Sequence, residues 1–196
     1  MLADTWIIEY RSPSYTHPIF SLWYMDTDKD RTEKFMTFKT GEIFATTSLT
    51  DLKSRILDNI NDIDTYDNLP QWLQDFDLSA PAETTLYNMH ELLQAVSTEN
   101  FGNDILSGLI NFINLFVDYV CQDEANEHLR VYADNEYLRE AWEYGYNMIV
   151  WPGVLHPEKF EVLDKQKPPL EIDAVKLKEG LEQLMEQFEQ QFKIAK

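Results

Sequence analysis

Histidine, cysteine and closely spaced carboxylates carry most unaided protein chemistry, and in this chain they do not assemble into a motif. His17, His90, His128 and His156 are scattered. His90-Glu91 has no second histidine one helical turn on, so the two-imidazole zinc site of a metalloprotease is missing. Asp26-Thr27-Asp28-Lys29-Asp30 has the alternation that opens a calcium loop. The sixth and twelfth positions of such a loop need Gly and Glu but hold Arg31 and Thr37, so a charged hairpin tip is the better reading. The six glycines are dispersed singly, which leaves no phosphate-cradling loop, and no G-x-S-x-G elbow is present. Cys121, beside Val120 in an apolar helical pattern, is expected to be a buried structural thiol. As the single cysteine it also excludes an internal disulfide and a Cys-rich zinc site. The expectation is a protein with no enzymatic activity, no metal and no cofactor.

Charge is the stronger signal. Thirty-five acidic residues face sixteen basic ones, a net charge of -19, in a chain with the 44% hydrophobic content of a folded protein. Such a charge opposes compaction, disfavours direct contact with nucleic-acid phosphates or an anionic membrane, and draws in cationic partners. Between Arg55 and Arg130 there is no Lys or Arg, and fourteen carboxylates lie in that stretch. The densest part, 58–77, holds Asp58, Asp62, Asp64, Asp67, Asp75 and Asp77 interleaved with Tyr66, Trp72 and Phe76. Carboxylates that speed encounter, set among rigid aromatic side chains that anchor, suit a surface for a basic protein. The expected partner-binding residues are Asp58, Asp62, Asp64, Tyr66, Asp67, Trp72, Asp75 and Asp77. The same residues also fit an ordinary solvated face, with Trp72 and Phe76 turned to the core as a helical pair.

The elements that would carry this surface follow from periodicity and turn chemistry. Residues 6–10, 19–25, 34–39 and 43–46 are β-rich runs separated by the turn signals Ser12-Pro13-Ser14, 26–30 and Thr40-Gly41-Glu42, which predicts an antiparallel meander. Leu49, Leu52, Ile56, Ile60 and Ile63 step by three or four behind a Ser48 or Thr50 cap, predicting a helix. A short Trp72-Leu73-Phe76 segment follows Pro70. Leu86, Met89, Leu92, Leu93 and Val96 form a helical stripe after Pro81. Asn103 or Asp104 is expected to cap a central buried helix running through Val120. A helix over 135–150 is expected to end at Trp151-Pro152-Gly153. After Pro168-Pro169, the positions Leu177, Leu181, Leu184, Met185, Phe188 and Phe192 give a long amphipathic C-terminal helix. The expected fold is α+β in one domain over 1–196: an N-terminal antiparallel β-meander (1–47) packed against a mostly helical remainder (48–196). The longest uncharged apolar run, 105–117, is short for a bilayer, and the N-terminus lacks a signal-peptide pattern. The expectation is a soluble cytoplasmic protein.

The segment Trp6-Ile7-Ile8-x-Tyr10, then Pro18-Ile19-Phe20-x-Leu22-Trp23, then Gly41-Glu42-Ile43-Phe44-Ala45-Thr46-Thr47-Ser48-Leu49 with Leu52-Lys53, resembles the opening of small immunity proteins. These accompany contact-dependent growth-inhibition and related polymorphic toxins of Gram-negative bacteria. The resemblance covers about a quarter of the chain and assigns no site residues. It implies a cytoplasmic antitoxin that binds a cognate basic toxin domain, often a nuclease, and occludes its active site. Two other readings stay open: a nucleic-acid mimic that inhibits DNA-binding proteins, and an enzyme whose site is built from scattered carboxylates.

Overall fold

β-Branched and aromatic runs near the N-terminus form strands, as their composition dictates. In the computed structural model, which describes residues 5–26, 32–76 and 84–196, β1 (Thr5–Arg11), β2 (Ile19–Asp26) and β3 (Thr32–Phe35) pair antiparallel in chain order. The register sets Ile7 opposite Leu22 and Trp23 opposite Phe35. Gly41 turns the chain with φ +98°, a conformation that suits a residue without Cβ, and its N–H reaches Phe38 O at 2.8 Å. The fully buried β4 (Ile43–Ala45) follows. Most of the 26–30 hairpin tip lies outside the described residues.

The fold is α+β, with strands concentrated toward the N-terminus and helices dominating thereafter. Contacts along the chain gather into two units. Unit 1 comprises Met1–Met89 with Glu189–Lys196, and unit 2 is His90–Phe188.

In unit 1, α1 (Leu52–Asp58) is shorter than the expected helix. The chain turns at Asn59, and Ile63 leaves the helical path to bridge Phe38 in antiparallel fashion. The N-cap is Asp51, without a side-chain cap bond; the Ser48 and Thr50 hydroxyls bond each other at 2.8 Å instead. The short α2 (Leu69–Asp75) carries Pro70 in its first turn, where a missing N–H costs nothing. Ile7, Leu22, Tyr24 and Met36 join Leu52, Ile56, Ile63, Leu69, Trp72 and Leu73 in one hydrophobic core.

Two strands depart from the expected pattern. Residues read as the first turn of a helix form β5 (Thr84–Asn88), parallel to β1, giving the order β3-β2-β1-β5. Pro81, the expected helix start, lies outside the described residues, and Leu86 is an exposed strand residue. Phe192, read as the last apolar position of the C-terminal helix, instead begins β6 (Phe192–Ile194), which pairs parallel with β4.

Unit 2 is helical. After α3 (Met89–Ser97) comes α4 (Asn103–Gln122), the expected central helix, with nine buried residues from Leu106 to Val120. Its N-cap is Gly102, not Asn103 or Asp104. The Asn103 side chain donates to Asp164 Oδ1 at 2.9 Å and accepts from Lys167. A 3-10 turn (Glu124–Leu129) and α5 (Arg130–Ala133) lead to α6 (Glu136–Gly145), which Asn135 caps by accepting from the N–H groups of Tyr137 and Leu138. The helix does not stop at Trp151-Pro152-Gly153. It widens into a π turn (Tyr146–Val150) and resumes as α7 (Trp151–Leu155), because Pro152 falls in the first turn of the new helix. A 3-10 turn (Pro157–Lys159) and α8 (Phe160–Gln166) precede α9 (Ala174–Glu189), the long amphipathic helix. Leu177, Leu181, Leu184, Met185 and Phe188 of α9 are buried, and the Phe188 ring meets Phe112, Phe116 and Tyr119 edge-on at 5.7–6.4 Å. Among the described residues one helix, α4, is long and apolar enough to cross a membrane, and half of that stretch is buried inside the protein.

Candidate protein-binding surface

The segment 58–76 of unit 1 sorts its side chains by polarity. Asp58 ends α1 exposed. Ile63 is fully buried between exposed Asp62 and Asp64. The strand-like alternation is fixed by backbone bonds of 2.8 Å on either side, Lys39 N to Asp62 O and Asp64 N to Thr37 O. Asp67 is exposed in the turn before α2, and Asp75 ends that helix, accepting from Gln71 Nε2 at 2.9 Å. Asp58 and Asp75 each occupy the last turn of a helix, where the carbonyl ends oppose a carboxylate, so local helix energetics does not explain either placement.

Five carboxylates thus point to solvent within 58–75, and among the described residues no lysine or arginine pairs with any of them. Lys39 and Lys53 come near the segment but donate to backbone carbonyls, Asn61 O at 2.7 Å and Phe76 O at 3.5 Å. Asp77 lies outside the described residues.

The aromatics of the segment go the other way. Trp72 is 9% exposed, part of the unit 1 core, and stacks on Phe76 with centroids 4.6 Å apart. Tyr66 is half-buried, lies flat on Tyr24 at 3.9 Å, and shares a hydrogen bond of 3.1 Å with Thr5 Oγ1. Burial holds the Tyr66 hydroxyl protonated far above the ordinary phenol range. The carboxylates and aromatics that alternate along the sequence therefore lie on different sides of the chain. The five carboxylates are exposed, and Tyr66 is half-buried.

Charge is not confined to this segment. Unit 1 carries sixteen acidic and nine basic residues, net -7, and unit 2 nineteen and seven, net -12. In unit 2, Glu127 is paired with Arg130 at 2.6 Å and its carboxyl is held below the usual range by that guanidinium. Asp123, Glu124, Glu99 and Asp104 are exposed.

Among the described residues no group of three His, Cys, Asp or Glu side chains is placed to hold a metal ion. All four histidines are exposed. Cys121 is also exposed, contrary to the sequence expectation, because α4 turns positions 117–118 and 121–122 partly outward in its last turn. Arg130 Nη2 lies 3.7 Å from its Sγ.

No protein-family model matches the chain, and no curated protein matches it. Its fold is similar to that of a solved structure described as "The crystal structure of SatS c-terminal domain in complex with bromine". That likeness has a TM-score of 0.60 at 15% identity and covers 97% of this chain and 93% of the other. At such identity the likeness concerns the fold alone.

Proposed function

We propose that this chain is a non-enzymatic inhibitor, an immunity protein that binds one basic toxin domain, a nuclease by expectation, in the cytoplasm of the cell that makes both. The observation that carries this reading is a run of exposed carboxylates in unit 1: Asp58, Asp62, Asp64, Asp67 and Asp75, with no ion pair to Lys or Arg among the described residues. Carboxylates that form no ion pair within the chain are open to a cationic partner, whose charge they attract as it docks. A nuclease cleft lined by Lys and Arg for phosphate binding presents the matching potential. The resemblance of the N-terminal segment to immunity proteins points the same way, as does the lack of a catalytic motif in the sequence. Steering by a net charge of -19 favours fast capture of a toxin before it reaches its substrate, an increase of roughly 10–10³-fold in association rate at low salt.

The test is a growth assay. Cells induced in turn to make the products of the genes neighbouring this one should stop growing with one of them, a basic toxin domain, and co-production of this chain should restore growth. Replacing the five aspartates by asparagine should weaken that protection. Growth arrest that persists despite accumulation of the folded chain overturns the reading.

A further inference from the structure

Three side chains of unit 2 meet around one amide. Asn103 is the first residue of α4, and Lys167 is the C-cap of α8. Lys167 precedes Pro168, whose ring steers the residue before it out of the helical region, and its backbone is extended at φ -64° and ψ 139°. The Tyr144 hydroxyl of α6 donates to Pro168 O, which holds the chain one residue past Lys167. Lys167 Nζ donates to Asn103 Oδ1 and, at 2.7 Å, to Asp164 Oδ1. Asn103 Nδ2 donates to that same Asp164 oxygen at 2.9 Å.

This group is less open to water than an ordinary surface pair. The Lys167 and Asp164 side chains are 19% and 31% exposed, against 71% and 85% for Lys165 and Glu161 on the same helix. As a polar tie it joins the start of α4 to the end of α8. It also has a property that a tie does not need. A lysine nitrogen touches an amide, and one carboxylate oxygen bonds both the nitrogen that would attack and the nitrogen that would leave.

A lysine amine is a nucleophile once it is unprotonated. Amides resist amines in solution because the two groups meet rarely and the departing nitrogen needs a proton. Here the fold holds the two groups together, and a proton carrier touches both nitrogens. Hydrogen bonds from Lys167 first, then Asn103, hold the Asp164 carboxyl below the usual carboxylate range, so it is ionised and able to accept a proton.

We propose that Lys167 and Asn103 join in an intramolecular isopeptide bond, with Asp164 carrying the proton between the two nitrogens. Unprotonated Lys167 Nζ bonds to Asn103 Cγ, and the carbonyl electron pair moves onto Oδ1. Asp164 takes one proton from Nζ and delivers it to Nδ2. The oxyanion collapses, the Cγ–Nδ2 bond breaks, and ammonia leaves. One amine and one primary amide become one secondary amide and ammonia, with no change of oxidation state. The neutral amine is the scarce form of a lysine at pH ~7, so the bond forms slowly after folding and faster in mild alkali. Once formed, it closes the loop from 103 to 167 and restricts the unfolded chain, as a disulfide would. This maturation of the chain is independent of the proposed function.

The experiment follows the purified full chain through days at pH about 9, by intact mass and by tandem mass spectrometry of a digest. The expected product is one ammonia lighter than the sequence requires. A peptide containing Asn103 should be joined covalently to one containing Lys167, and the joined chain should melt at a higher temperature. Lys167→Arg and Asn103→Ala should each abolish the joined peptide. Asp164→Ala keeps both reacting groups and should slow joining about 100-fold or more. The native chain held unfolded in urea should not join. An unchanged mass in the folded native chain overturns the proposal, whatever the variants do. Loss of ammonia without a joined peptide, as in ring closure onto the Asp104 backbone nitrogen, also overturns it. So does joining that proceeds equally fast in folded Asp164→Ala or in the unfolded chain.

Discussion

Gly180 of α9 lies directly against the Asn135 side chain: a Cβ at 180 would stand 2.9 Å from Asn135 Oδ1. That same oxygen accepts from the N–H groups of Tyr137 and Leu138 at 3.0 and 3.2 Å to cap α6. The start of α6 and the middle of α9 therefore meet at one close approach, and a methyl group on α9 acts on a helix cap more than forty residues earlier.

Gly180→Ala should push the cap out of position. Loss of an Asn cap costs about 1 kcal/mol, and overpacking costs about 1–3 kcal/mol. In urea unfolding, Asn135→Ala and Gly180→Ala should each destabilise. The double variant should lose less than the sum of the two, by about 0.5 kcal/mol or more. Additive losses would mean that the glycine and the cap act independently.

Alkaline pH should weaken unit 1. Tyr10 is fully buried and donates from its hydroxyl to Glu189 Oε1 at 3.0 Å, while Tyr15 donates to the Glu189 carbonyl at 3.2 Å. Burial first, then the Glu189 charge, raise the Tyr10 hydroxyl well above the ordinary phenol range, and the same causes push Tyr15 up to about 12. These folded-state values exceed the unfolded value of about 10. The stabilisation is therefore fully present below pH ~10 and is lost as pH rises through the folded values. Melting temperature should fall above pH ~10, and Tyr10→Phe should make the fall shallower. An identical alkaline profile in the two proteins would rule out Tyr10 as its source.

The exposed Cys121 should react in the native state. A disulfide reagent is expected to titrate one thiol per chain without denaturant. Reaction only after unfolding would return Cys121 to the buried role its sequence context suggested.

Removing 190–196 should destabilise unit 1. The segment supplies the bonds Ile43 N to Gln191 O and Ala195 N to Ala45 O, both 2.8 Å, and the Phe192 ring 5.5 Å from Tyr10. Two hydrogen bonds at about 1 kcal/mol each and a half-buried aromatic, worth less than the roughly 1.5–3 kcal/mol of full burial, predict a loss of about 2 kcal/mol or more. A truncated chain with an unchanged unfolding midpoint would show that β6 is dispensable.

What the sequence made legible was local. β1, β2 and the apolar stripe of α4 are long enough for composition and period to settle their type. β5 was hidden because it runs straight into α3 with no intervening loop, so Leu86 extends the stripe of Met89, Leu92 and Val96. Its pairing with β1 joins positions some 77 residues apart, Ile7 with Thr84, and leaves no local trace. β6 was hidden in the same way, since Phe192 continues the spacing of Leu181, Leu184 and Phe188. In the acidic segment the carboxylates were legible as exposed because charge alone keeps them in solvent. The direction of Trp72 was not, because an aromatic residue serves a core or an interface equally well, and only the position of α2 on the sheet decides. Trp151-Pro152-Gly153 carries an ordinary stop signal, and the π turn that carries the helix past it has no residue signature.

The measurement that bears most directly on the proposed function is the affinity of this chain for purified basic domains encoded by the genes that neighbour its own. It would be taken at about 50 mM and about 500 mM salt, for the native chain and for the variant with Asp58, Asp62, Asp64, Asp67 and Asp75 replaced by Asn. A one-to-one complex is expected to form more slowly as salt rises, with association in the variant slowed about tenfold or more at low salt. No complex, or a complex indifferent both to salt and to the five substitutions, would contradict the proposed function.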